Sequence, residues 1–131
     1  MEDRSKRLKI LSVEDDNIIS EMLILMLQDM GFDAISAENG NEGLELYNEG
    51  LNSDKPFNLV ISDLGMGGMD GITFAKTLRK ITPDIPIILL TGFSSLVRQE
   101  DYEYVDCMLR KPVVTDELNE AILKIMASRG L

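Results

Sequence analysis

The sequence predicts a doubly wound α/β fold, a five-stranded parallel sheet with helices on both faces, and three observations carry that reading. Four short aliphatic runs, rich in Ile, Leu and Val, read as strands buried on both faces of a parallel sheet. Stretches of helical period alternate with the strand-like segments, a five-fold β/α alternation that implies right-handed crossovers. Each of the four runs also ends in a reactive residue, and in an open α/β sheet ligands bind outside the carboxyl ends of the strands. The 131 residues suit one domain with one core, from about residue 8 to about residue 128, with residues 1–7 expected to fray.

The first strand is expected over Leu8–Val13, running into Glu14-Asp15-Asp16. The first helix follows over Asn17–Met30, with Ile18, Ile19, Met22, Leu23, Leu25, Met26 and Met30 as a broad apolar face and Gly31 as its stop. A second strand is expected over Asp33–Ala37, then a turn at Asn39-Gly40-Asn41, then a helix carrying Leu44, Leu46, Tyr47 and Leu51. Asn52–Pro56 is a polar loop before the third strand, Asn58–Ser62, which runs into Asp63. The stretch Asp63–Gly71 is too Gly-rich for helix or strand. Asp70 then caps a helix over Ile72–Ile81. Pro83 and Pro86 bracket the approach to the fourth strand, Ile87–Leu90, which runs into Thr91. A short, irregular fourth helix is expected within Ser95–Tyr102, then a fifth strand over Val105–Arg110 that runs into Lys111-Pro112. The last helix is expected over Thr115–Ala127, with Asp116 and Glu117 favouring its N-terminus through the helix dipole.

Composition narrows the function. The chain is 44% hydrophobic, enough for a core, and its formal charge of −10 gives little attraction for nucleic acid. Arg4, Lys6, Arg7 and Lys9 cluster at the start and read as a solvated end. The single cysteine, Cys107, excludes an internal disulfide and reads as a small hydrophobe within its apolar run. The N-terminus lacks the apolar region of a signal peptide, and no apolar stretch approaches the ~20 residues that span a bilayer, so a cytoplasmic protein is expected.

The chemistry lies at the strand ends. Alone, Glu14-Asp15-Asp16 reads as an acidic start to the first helix. Asp63 changes that reading, because the first and third strands are central neighbours in a doubly wound sheet and their carboxylates converge. Like charges ~4 Å apart cost about 4 kcal/mol at an effective dielectric near 20. A cation relieves the cost, and hard oxygen ligands suit Mg²⁺. The same acids argue against a flavin or dinucleotide, whose phosphates need amides and glycines at the first turn. Lys111 alone would be a surface lysine and Thr91 a strand-end cap. Beside a metal-bound Asp63 they complete a phosphoryl site, with the carboxylate as nucleophile and Lys111 neutralising charge.

Four stretches then resemble one family, the receiver domains of two-component response regulators: Ile10–Asp16, Asp63 through Met69-Asp70-Gly71, Leu90-Thr91-Gly92 and Arg110-Lys111-Pro112. Each alone is common; all four in order at strand ends are specific. The resemblance covers Lys9 to about Ala127 and implies a flavodoxin-like three-layer sandwich of strand order 2-1-3-4-5. It implies that Asp63 accepts a phosphoryl group from a phosphohistidine on a sensor histidine kinase or a histidine phosphotransfer protein. Glu14, Asp15 and Asp63 would hold Mg²⁺ with the backbone carbonyl of Gly65. Thr91 would contact the phosphoryl group, Lys111 would pair with its oxygens, and the Lys111-Pro112 bond would be cis. The result would be a switch, monomeric or weakly dimeric, that acts on a downstream protein target the sequence does not name. Its chemistry would be limited to phosphotransfer and self-hydrolysis.

The chain departs from the family pattern in places. Gly67 stands where proline is usual, and Met108, three before Lys111, where a Tyr or Phe switch is usual. Thr91 and Lys111 are close in sequence for the family, so a truncated fourth helix is expected. With the sequence ending just after the last helix, no DNA-binding or enzymatic output domain is expected in it. It reads as a stand-alone regulator or as the receiver of a hybrid kinase. Two other classes fit the sequence less well. A receiver-like interaction module that takes no phosphate is disfavoured by the intact Asp63, Thr91 and Lys111 set. An aspartyl phosphatase or mutase is disfavoured by Gly65, where a second Asp is usual.

Overall fold

In the computed structural model, residues 7–66, 68–92 and 99–130 are described. The parallel strands β1 (Lys9–Val13), β2 (Asp33–Ala37), β3 (Leu59–Asp63), β4 (Ile87–Thr91) and β5 (Cys107–Arg110) form a five-stranded sheet of order β2-β1-β3-β4-β5. The helices α1 (Asn17–Asp29), α2 (Gly40–Leu51), α3 (Gly71–Ile81) and α4 (Thr115–Ser128), with a 3-10 helix at Gln99–Tyr104, complete the elements among the described residues. This is the flavodoxin-like three-layer sandwich.

The pleat builds two cores from adjacent residues. Leu11, Val60 and Ile87 pack with Tyr47 of α2 and Phe74 and Leu78 of α3. Their chain neighbours Ile10, Ile61 and Ile88 pack on the other face with Leu23 and Leu27 of α1 and Leu118 and Ile122 of α4. All five residues of β3 are buried, as a central strand covered on both faces requires.

Helix ends follow their chemistry. Asp16 caps α1, Asn39 caps α2 and Asp70 caps α3, each side chain accepting from backbone N–H groups of the first turn. Gly31 follows α1 at φ +93°, the left-handed position a helix stop favours. The expected turn at Asn39-Gly40-Asn41 is instead this cap and the start of α2.

Other boundaries also move. Asp63 and Thr91 are themselves the last residues of β3 and β4. The fifth strand begins two residues later than expected, because Val105 N–H turns back to the Tyr102 carbonyl. Of the short, irregular fourth helix expected within Ser95–Tyr102, Ser95–Arg98 lie outside the described residues, as do Gly67 and most of the expected frayed start; a 3-10 segment covers Gln99–Tyr104. The broad apolar face expected on α1 divides: Leu23 and Leu27 are buried, while Ile18, Met22 and Leu25 are exposed. Cys107 is only half-buried, and burial raises its thiol pKa. The Lys111-Pro112 peptide is cis, as the resemblance implies. No helix among the described residues is long and apolar enough to cross a membrane.

Candidate functional site

The carboxyl ends of β1, β3, β4 and β5 gather the reactive residues. β1 and β3 pair in register through Val13 and Ser62, which brings Glu14 and Asp63 side by side just beyond. Asp63 lies opposite Leu90 of β4, and Thr91 opposite Arg110 of β5. The Lys111 N–H donates to the Thr91 carbonyl at 2.8 Å, so the ends of β4 and β5 are tied where Lys111 leaves the sheet.

One carboxylate oxygen from each of Glu14, Asp15 and Asp63 lies within 4.8 Å of the other two. Glu14 and Asp63 are buried, at 1% and 6% exposure, whereas Asp15 is exposed. The Lys111 ammonium donates to Glu14 Oε1 at 2.7 Å and pairs with Asp63 Oδ1 at 3.1 Å. Glu14 Oε2 accepts from the Asp16 N–H at 3.3 Å. Burial pushes the Glu14 carboxyl up to about 7; the Lys111 hydrogen bond opposes this, and the neighbouring Asp63 charge adds to it. The lysine is moved the other way: burial lowers its pKa, but its bonds to Glu14 and Asp63 prevail and raise it.

The third acid of the run has a different task. Asp16 Oδ1 accepts from the Ile18 and Ile19 N–H groups at 2.9 and 3.0 Å, so it is the helix cap, outside the convergent set. The three converging acids are hard oxygen donors with excess negative charge, and an oxophilic divalent cation fits them.

The loop after β3 is shaped by one close approach. A Cβ on Gly71 would sit 2.5 Å from the Asp63 carbonyl and 2.8 Å from the Leu64 Cα, so only glycine lets α3 start against the end of β3. Gly71 N–H also donates to the Leu64 carbonyl at 2.9 Å. Gly65 is exposed, a Cβ there would meet nothing within 4 Å, and its N–H reaches Asp63 Oδ1 at 3.3 Å. The Thr91 hydroxyl stands 3.5 Å from the Leu109 carbonyl, at the long limit of a hydrogen bond. Met108, half-buried, lies opposite Leu89 and not at the convergent centre.

Sequence reasoning found these acids but not what Lys111 does among them, bridging Glu14 and Asp63. It also put Ile18, Met22 and Leu25 on one broad apolar face with Leu23, whereas they form a stripe exposed by 73%, 53% and 61% on the helix that starts at the acidic turn. The signal was present: positions i, i+4 and i+7 of α1 are apolar in addition to the face that Leu23 and Leu27 bury.

A sheet of this order with acids, threonine and lysine at its strand ends defines a receiver. Residues 10–123 match the response regulator receiver domain family, and the chain belongs to it. It is 37% identical over 115 residues to the transcriptional regulatory protein GlrR of Escherichia coli K12, covering 86% of this chain and 25% of that one. It is 33% identical over 93 residues to the response regulator receiver protein CpdR of Brucella abortus, covering 71% of this chain and 73% of that one. Among solved structures, the receiver domain protein from Clostridium thermocellum superposes with a TM-score of 0.85 at 30% identity, over 94% of this chain and 97% of that one. The response regulator TrrA of Thermotoga maritima, solved in complex with Mg²⁺-BeF, gives 0.81 at 35% identity, over 90% and 98%. The protein is thus a response regulator receiver domain of the two-component kind. It spans about a quarter of the length of relatives such as GlrR, so the charge argument against nucleic acid concerns this chain alone.

Proposed function

We propose that this receiver is a cytoplasmic phosphoacceptor switch that takes a phosphoryl group onto Asp63 from a phosphohistidine of a sensor kinase or histidine phosphotransfer protein, with Mg²⁺, and then changes its binding surface. The observation that carries the reading is the convergence of the Glu14, Asp15 and Asp63 oxygens within 4.8 Å, with the Lys111 ammonium 3.1 Å from Asp63.

The donor set fits Mg²⁺, which Glu14, Asp15, Asp63 and the Gly65 carbonyl would hold. When bound, the ion offsets negative charge on the carboxylates and the phosphoryl oxygens. An Asp63 carboxylate oxygen attacks phosphorus as the P–N bond of the phosphohistidine breaks. The P–N electron pair stays on the leaving imidazole nitrogen, which takes a proton from water, and an acyl phosphate is left on Asp63. Lys111 exchanges its bond to Asp63 for one to a phosphoryl oxygen. The Thr91 hydroxyl, weakly held by Leu109, turns to a second phosphoryl oxygen. Water later cleaves the acyl phosphate and returns the carboxylate.

The exposed stripe Ile18, Met22 and Leu25 begins one turn beyond the metal-binding acids and gives a protein donor an apolar surface beside the nucleophile. The test uses acetyl phosphate with and without Mg²⁺, read by intact mass. One phosphoryl group should appear with Mg²⁺ only, and Asp63→Asn should take none. Equal labelling of that variant would overturn the assignment, and no labelling of the parent would favour an interaction module that takes no phosphate.

A further inference from the structure

At the end of the sheet opposite the acidic site, the outer edge of β2 meets a cavity of about 520 Å³. Among the described residues its lining includes Arg7, Lys9 and Lys55, with Asp33 as the one carboxylate. Three cations against one acid stand out on a chain of net charge −10. The two lysines are fixed in place: Lys55 Nζ bonds Asp33 Oδ2 at 2.6 Å, and Lys9 Nζ bonds the Lys55 carbonyl at 3.1 Å while lying 4.5 Å from the centre of the Phe57 ring.

The strand beside this cavity has a free side. Among the described residues β2 pairs with β1 alone, and the register fixes which of its backbone groups face outward. Asp33 N–H donates to the Leu8 carbonyl, and the Ala37 carbonyl accepts from Glu14 N–H. In a strand the N–H and C=O of one residue point the same way and alternate along the chain. Asp33, Ile35 and Ala37 therefore bond toward β1, and Ala34 and Ser36 present their N–H and C=O groups outward. Ile35 is 38% exposed, Ser36 is exposed, and β2 carries neither proline nor lysine to guard its edge.

We propose that this edge and the basic cavity at its start form a docking surface for an extended acidic segment of a partner protein. The segment adds as a sixth strand, bonding the backbone groups of Ala34 and Ser36, and its carboxylates face Lys9, Lys55 and Arg7. The two parts are continuous, because Asp33, Ala34 and Ile35 both form the strand and line the cavity. Charge selects the occupant: the backbone edge accepts any extended chain, while the cations favour acidic ones and disfavour basic ones. This surface is separate from the phosphoryl site and does not depend on its reading.

The test titrates the isotope-labelled full chain with a capped Glu-Val repeat peptide and with its Lys-Val counterpart, following backbone amides. The Glu-Val peptide should saturate, shifting and protecting from exchange the Ala34 and Ser36 amides and leaving those of Asp33, Ile35 and Ala37 as protected as before. Lys55→Glu should weaken binding ~tenfold or more. Ser36→Pro removes an outward N–H that no β1 group uses, so the fold should survive and binding should be lost. Equal binding of the Lys-Val peptide, or shifts that spare Ala34 and Ser36, would overturn the proposal. Concentration-dependent shifts of these two amides without peptide would overturn it in favour of a second copy of this chain.

Discussion

Glu14 shows what a single buried carboxylate does to this protein. It is 1% exposed, and its pKa is pushed to about 7 from 4.5, so the folded chain holds its proton more tightly than the unfolded chain. Its contribution to stability is therefore full below about pH 4.5 and is lost as pH rises through about 7. In a chelator at pH 8, Glu14→Gln should stabilise the protein, on the order of 2 kcal/mol, and flatten the pH dependence between 5 and 8. Mg²⁺ should stabilise the parent by about 2.7 kcal/mol at 100 times Kd, and this gain should shrink in both Glu14→Gln and Asp15→Asn. Urea melts with and without Mg²⁺ check both; a Glu14→Gln chain less stable than the parent at pH 8 would contradict the burial argument. The acids themselves were legible in the sequence because each follows an apolar run. Their division of labour was not, because Asp15 and Asp16 differ only in which way the chain turns after β1.

The elements were legible where propensity and packing agree and displaced where a few hydrogen bonds decide. β2 and the start of α4 fall where expected, while the start of β5 does not. There the chain is organised by Asp106, whose side chain accepts from the Ile87 N–H at 2.8 Å, Arg79 at 3.0 Å and Arg129 at 2.7 Å. This carboxylate ties α3, β4 and the end of α4 to the start of β5, and no periodicity announces such a clamp. Burial raises its pKa, but the Ile87, Arg129 and Arg79 hydrogen bonds outweigh burial and hold it below 3.8. The stability it gives is present above pH 3.8 and is lost as pH falls through the lowered value. Asp106→Asn should cost about 1–2 kcal/mol at pH 7 and lessen the acid sensitivity, readable by melts at pH 7 and pH 3. Helix α1 carries a second prediction at this scale. Ile18→Ser and Met22→Ser lie on exposed positions and should change stability by less than about 0.5 kcal/mol. Phosphotransfer from a phosphohistidine protein should fall ~tenfold, with labelling by acetyl phosphate unchanged. Equal loss with both donors would place the defect in the site and not in docking.

The strand order was legible through the family resemblance, and in the fold it puts the ends of β1, β3, β4 and β5, with Glu14, Asp63, Thr91 and Lys111, side by side. Which surfaces await another molecule was not legible, because an apolar helix face reads the same whether this chain or a partner covers it. A change at Asp63 should travel across the sheet through Thr91. Thr91 is tied to Lys111 by its carbonyl but only loosely to Leu109 by its hydroxyl, so its side chain can turn while β4 and β5 stay paired. Met108, half-buried opposite Leu89, should then repack into the space that the Thr91 side chain leaves. A methionine fixed in one rotamer loses more entropy than a ring with fewer torsions, so the phosphorylated packing should be a population shift and not a sharp two-state change. With Mg²⁺ and beryllofluoride as the phosphoryl mimic, amide shifts should extend from Asp63 through Thr91 into Cys107–Arg110, with exchange broadening around Met108. Met108→Tyr should sharpen those resonances by giving the active packing a single well-defined occupant. Shifts confined to the neighbours of Asp63 in both proteins would mean that β5 is not coupled to the phosphoryl group at all.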